Sequence, residues 1–190
     1  MRSLRILGAT LFLASAMTQA QSFDVGTNVL SASVGIGGYY GASSAYTSQT
    51  PALGLSYEKG ITRLGPGELG LGGYLGYKTL ANRYSGPGFE YDWSWTYLIL
   101  GVRGAWHYNT WHDVDQLDLY GGLLLSYNSV KWKDNTTYPS GFPVVRSSAG
   151  SGMALTGFIG ARYYFTESLG AHMELGYGIA TANLGLSYKF

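Results

Sequence analysis

The stretch Asn183-Leu184-Gly185-Leu186-Ser187-Tyr188-Lys189-Phe190 decides how this chain is read. Leu184, Leu186, Tyr188 and Phe190 are apolar, while Asn183, Gly185, Ser187 and Lys189 are small or polar. A period of two with one apolar face marks a β-strand. A soluble barrel or sandwich buries that face in a core. A membrane barrel turns it to lipid and keeps the small, polar face for its lumen.

Upstream, the same alternation recurs in seven segments, at about 28–37, 52–60, 68–80, 95–108, 117–128, 152–165 and 169–180. Each is close to the length a tilted strand needs to cross a bilayer. In the first, Leu30, Ala32, Val34 and Ile36 oppose Ser31, Ser33 and Gly35. In the seventh, Met173, Leu175, Tyr177 and Ile179 oppose His172, Glu174, Gly176 and Gly178. Strand-borne charge keeps to the small and polar face: Glu58, Glu68, Lys78, Arg103, Asp118, Arg162, Glu174 and Lys189, with Lys59 at a strand end as the exception. An Arg or Lys on the lipid face at mid-bilayer costs about 2–4 kcal/mol, so one-sided charge is a physical requirement of a membrane barrel. A soluble surface made mostly of Gly, Ser, Thr and Tyr would be too poor in charge. The predicted fold is therefore all-β: an eight-stranded antiparallel up-and-down transmembrane β-barrel with its leucines outside.

Connections after the first, third and fifth strands (38–51, 81–93 and 131–150) are long, and those after the second, fourth and sixth are shorter. The last, near Thr181, is very short. Both termini then lie on the short-turn side. Outward Tyr57, Trp106, Tyr108, Phe165, Tyr188 and Phe190 would share one level there, as an interfacial girdle.

The chain starts like an export precursor. Arg2 and Arg5 precede an apolar run from Ile6 to Met17, too short to span, and Thr18-Gln19-Ala20 supplies small residues for cleavage. Residues 1–20 are predicted to be a signal peptide and 21–190 the barrel; Ala14-Ser15-Ala16 is the alternative cleavage site. The 190 residues include 29 Gly, 17 Tyr and no Cys, with a net charge of +1. That balance offers nothing to nucleic acid, and without Cys there is neither thiol chemistry nor a disulfide framework.

Three stretches together, Gly160-Ala161-Arg162-Tyr163-Tyr164-Phe165, Glu174-Leu175-Gly176-Tyr177-Gly178 and Leu184 to Phe190, resemble the small outer-membrane β-barrel domain family of Gram-negative bacteria, particularly Bacteroidetes. The architecture is similar to the eight-stranded OmpA/OmpX/OmpW class. The resemblance implies residence in the outer membrane with periplasmic termini, contact with lipid and lipopolysaccharide, and insertion by the barrel-assembly machinery. Leu184, Leu186, Tyr188 and Phe190 match the assembly signal of that class. It does not specify function, which varies widely on one fold.

An eight-stranded lumen is just wide enough for side chains to fill. Glu58, Arg103, Asp118, Arg162, Glu174 and Lys189 are expected to form an ion-paired plug toward the periplasm in a monomeric barrel with a structural or surface-interaction role. Toward the outer half, Tyr74, Tyr97, Ile99, Leu124 and Phe158 either fill the interior or line an apolar pocket. The pocket would make the protein a narrow pore or a carrier of small hydrophobic molecules, in the manner of OmpW. His107, His112 and His172 are the only histidines; His107 falls on the inward face, and His172 shares a face with Glu174, but no serine is placed convincingly with them, so no enzyme is expected. No metal or cofactor site is expected either. Tyr39, Tyr40, Tyr46, Tyr84, Phe89, Tyr91, Trp93, Tyr138 and Phe142 make the long loops candidate ligand surfaces.

Overall fold

The computed structural model describes residues 22–38, 47–87, 89–136 and 150–190. The expected signal segment, and the loop aromatics Tyr39, Tyr40, Tyr46, Tyr138 and Phe142, lie outside the described residues. Nine strands are found among the described residues: β1 (Asn28–Ile36), β2 (Ser48–Gln49), β3 (Ala52–Leu64), β4 (Gly67–Gly86), β5 (Phe89–His107), β6 (Leu117–Asp134), β7 (Gly152–Tyr164), β8 (Leu169–Gly176) and β9 (Ala182–Lys189). The eight longer ones pair antiparallel in chain order, and β1 also pairs with β9, from Val29↔Lys189 to Ile36↔Ala182. The sheet closes on itself as an eight-stranded up-and-down barrel, which satisfies the backbone without an open edge. Short β2 lies on β4 at Leu80 and Ala81, above the last β3 pairing at Tyr77, and covers an edge that β3 leaves bare.

Outward Leu30, Leu55, Leu75, Leu100, Val102, Leu123, Leu155, Met173, Leu184 and Leu186 are all exposed, whereas inward Val29, Ser31, Glu58, Arg103, Asp118, Arg162 and Ser187 are buried. An apolar surface running right round a barrel is built to meet hydrocarbon, not water. At the end that carries the termini it finishes in exposed Tyr57, Tyr163, Phe165, Tyr188 and Phe190, with the Trp106 and Tyr108 rings stacked 5.1 Å apart. From Leu98 to Trp106, a rise of about 3.3 Å per residue and a tilt of about 40° give a band about 20 Å tall.

At the opposite end the sheet keeps going, and its faces exchange character. The segment 81–93, expected as a loop, is a hairpin whose ladder runs to Gly86↔Phe89, and β6 extends to Asp134. Across these strands the outward row Tyr77–Leu98–Ser129 is followed by Thr79–Thr96–Lys131, Ala81–Ser94–Lys133 and Arg83–Asp92. The inward rows become Leu80–Trp95–Trp132 and Asn82–Trp93–Asp134. Alternation survives while its phase reverses, and for that reason a reading that required one apolar parity ended the strands too early. The reversal marks the height at which the outer surface stops being apolar.

On the far side of the rim the wall is low. β8 stops at Gly176, so Ile179 does not continue the outward row as expected. The chain from Gly178 to Ala180 bends into the lumen instead, leaving Tyr177 68% exposed and Ile179 only 5%. Ile179 and Ala180 pack with Ala52, Ile99 and Tyr74. The bend is held by Thr181, whose amide donates to the Ile36 carbonyl (2.9 Å) and whose hydroxyl accepts from the Gly38 amide (2.9 Å). Gly38 has φ +103°, and any side chain there would strike the Ile179 carbonyl.

Candidate functional site

The terminal-end half of the lumen is organised on His107. Its Nδ1 lies 2.7 Å from Asp118 Oδ1 and its Nε2 lies 2.7 Å from Glu58 Oε1. An ionised carboxylate only accepts, so with Glu58 and Asp118 both ionised each ring nitrogen donates and the ring carries two protons. Arg162 Nη1 donates to the other Asp118 oxygen at 2.8 Å, and its Nη2 lies 3.6 Å from Glu58 Oε2. Two carboxylates thus face two cations in a closed ring of contacts, with every member almost fully buried. Asn109 adds a donor to Asp118 at 3.1 Å.

Above this ring, Arg103 Nη2 donates to Glu174 Oε1 at 2.7 Å, and the Tyr120 hydroxyl donates to the same oxygen at 3.0 Å. The guanidinium of Arg103 lies over the Phe158 ring, 4.2 Å from its centre, and that of Arg162 over Tyr120 at 4.9 Å. Glycine on the neighbouring strand makes room for these rings: a methyl group at Gly160 would come within 2.5 Å of the Tyr120 ring. Of the six residues expected in the ion network, five meet here. The sixth, Lys189, sets its ammonium over the Tyr164 ring, 4.4 Å from the centroid.

Two participants escaped sequence reading. The alternation puts His107 on the inward face but not in the network, because a period-2 pattern gives a residue's face and not its partner across the lumen. Phe23 lies before the first strand, where no periodicity applies. It is only 3% exposed, and its ring stacks on His107 with centroids 3.6 Å apart and planes 8° apart. Its segment is anchored to the barrel wall by Gly26 N donating to the Gly60 carbonyl and Gly60 N to the Thr27 carbonyl, both 2.9 Å.

The structure also brings a serine to His172, which sequence reading did not. Ser187 Oγ lies 2.9 Å from His172 Nδ1 and 2.8 Å from Ser31 Oγ, and it accepts from Arg162 Nε at 3.2 Å. Ser187 is buried and already shared among three partners. That is the setting of a structural node, not of a nucleophile open to substrate.

Toward the loop end lies a cavity of about 240 Å³. Tyr74, Ile99, Leu124 and Phe158 line it. Tyr97, expected with them, is buried but is not part of the lining, since its register partner is Lys78 and it sits a row higher. Ser126, Asn128, Thr156 and Asn183 supply neutral polar groups, and the Arg103–Glu174 pair forms the charged part of the lining. Outward Leu155 and Tyr177 border the cavity too, where β7 runs on past its last pairing with β8 at Phe158↔Gly176.

No protein-family model and no curated protein matches the chain. Solved structures do. The chain is similar to Ail, the attachment invasion locus protein of Yersinia pestis, solved in complex with the heparin analogue sucrose octasulfate, at 13% identity and TM-score 0.52 over 87% of this chain and 99% of that one. It is also similar to the outer membrane protein OprG of Pseudomonas aeruginosa, at 15% identity and TM-score 0.54 over 90% and 98%. The fold is that of the small eight-stranded outer-membrane barrels.

Proposed function

We propose that this protein is an integral outer-membrane barrel whose lumen is closed on the periplasmic side and whose role is structural or directed at the cell surface. The observation that carries the reading is the charge-balanced ring of Glu58, His107, Asp118 and Arg162 with Phe23 stacked beneath it. A ring so fully hydrogen-bonded leaves little reason for ions to displace it. Both termini face the periplasm, residues 1–20 direct export, and Tyr188 and Phe190 address the chain to the barrel-assembly machinery. It works as a monomer in a leaflet of lipid and lipopolysaccharide and has no catalytic role. The extension of β4, β5 and β6 above the bilayer, with Trp93, Trp95 and Trp132 on one face and Arg83, Lys131 and Lys133 on the other, is the part offered to surface ligands together with the segments 38–51, 81–93 and 131–150.

Single-channel recording in planar bilayers tests the closure. The wild-type barrel is expected to give no reproducible conductance steps. Steps that change in Arg103→Ala or Arg162→Ala would overturn it. A second reading, carriage of small, mainly hydrophobic molecules, is favoured by the cavity between Ile99, Leu124, Phe158 and Ile179.

A further inference from the structure

Resting on the outer-membrane reading and its surface-facing extension, we propose that Lys131 and Lys133 clamp the phosphomonoester of an outer-leaflet lipid. Two observations converge. First, the lysines are placed by height. Exposed Tyr77 and Leu98 form the last apolar row on β4 and β5, and Thr79–Thr96–Lys131 and Ala81–Ser94–Lys133 are the next two rows. With a rise of about 3.3 Å per residue and a tilt of about 40°, the two lysine backbones stand about 5 and 10 Å above that apolar row. The polar zone of one leaflet is about 5–8 Å thick, and a lysine lays its stem along the surface while its ammonium seeks that zone.

Second, charge is sorted by height. These two rows contain no acidic residue; Asp92, paired with Arg83 at 3.2 Å, and Glu90 belong to the rows beyond. Both lysines are exposed, and neither has a carboxylate at ion-pairing distance among the described residues. Segments 39–46 and 137–149 contain no Asp or Glu that could neutralise them. Two cations at positions i and i+2 of one strand share a face about 7 Å apart. Such a pair matches an anion of about two charges. A phosphomonoester carries about −1.5 to −2 at pH 7, and a phosphodiester only a single charge. Lysines also guard bare edges, and β6 has no strand beside it beyond Asn128↔Gly152 among the described residues. A guard needs only its charge, so it shows no preference between the two esters.

The test uses the full barrel, with lysine labelled with ¹³C at Cε, in phosphatidylcholine nanodiscs. These are doped with phosphatidic acid, a monoester, or with phosphatidylglycerol, a diester. Lys59, exposed at the opposite rim, reports the attraction of any lysine to an anionic bilayer. The expected result is a saturable shift of Lys131 and Lys133 with phosphatidic acid, about fivefold tighter than with phosphatidylglycerol and tighter than at Lys59. Lys133→Gln, an exposed change, should weaken the Lys131 response about fivefold. Equal responses to the two lipids, or an equal response at Lys59, would reduce the pair to edge guards and overturn the clamp. Inorganic phosphate that shifts both lysines in undoped discs as strongly as phosphatidic acid would overturn the lipid as occupant. A nitroxide on the lipid headgroup separates failure of the clamp from failure of the reading beneath it. Both lysine signals should broaden. Broadening without a preference for the monoester overturns the clamp alone, whereas no broadening also overturns the placement of the extension at the membrane surface.

Discussion

The two halves of the lumen are made from the same strands and solve opposite problems. Near the termini, large charged side chains from β3, β5, β6 and β7 meet at the axis, and nearly every donor finds an acceptor. Near the loops, the inward residues around the cavity are neutral apart from the Arg103–Glu174 pair, and space remains between them. The contrast teaches that a narrow barrel is not filled uniformly by its width. Long side chains of opposite charge meet where they are placed at one level, and a cavity remains where Ser126, Asn128, Thr156 and Asn183 take their place.

The largest expected effect comes from breaking the charged half. Asp118→Ala leaves His107 and Arg162 facing a lost acceptor, so it should lower the unfolding free energy in lipid vesicles by about 3–5 kcal/mol. Ser126→Ala, in the open half, should cost about 1 kcal/mol or less by the same urea titration. Comparable losses from the two would erase the distinction.

A second contrast runs along the exterior. Val102→Arg, in the middle of the apolar band, should cost about 2–4 kcal/mol in vesicles, whereas Ser94→Arg, above the row where the faces exchange character, should cost about 0–1 kcal/mol. Equal costs would mean that the reversal of polarity does not coincide with the bilayer surface.

The smallest effect concerns Phe23. Replacing it with Ala removes a ring stacked on an imidazolium, and about 1–2 kcal/mol of stability should go with it. Its sharper signature is local. The His107 ring protons should exchange with solvent faster in Phe23→Ala, while the Ile99 and Ile179 methyls, in the other half, stay where they are.

The membrane face was legible because a strand in a barrel has only two sides, and burying or exposing charge separates them by several kcal/mol. Leu184, Leu186, Tyr188 and Phe190 lie outward as their alternation requires, and Arg103 and Arg162 lie inward. The hairpin from Thr79 to Thr96 was not legible by that rule. Its alternation persists, but water replaces lipid as the outer medium and the preferred parity turns over. Ile179 was missed for the reverse reason: past Gly176 the chain leaves the ladder, and a period-2 assignment carries no information once the backbone bends.

By itself, then, the amino-acid order determined the strand number, the sidedness of each strand and the set of charges that must be inside, because all three follow from local alternation against a two-sided environment. Only the folded barrel decided which inward residues meet. The contacts Glu58–His107, Arg162–Asp118 and Phe23–His107 join positions on different strands or before the first one. Their distances depend on the stagger of the closed sheet and on a terminal segment that carries no repeat. The same holds for the cavity, whose volume is what the side chains of the surrounding wall leave between them.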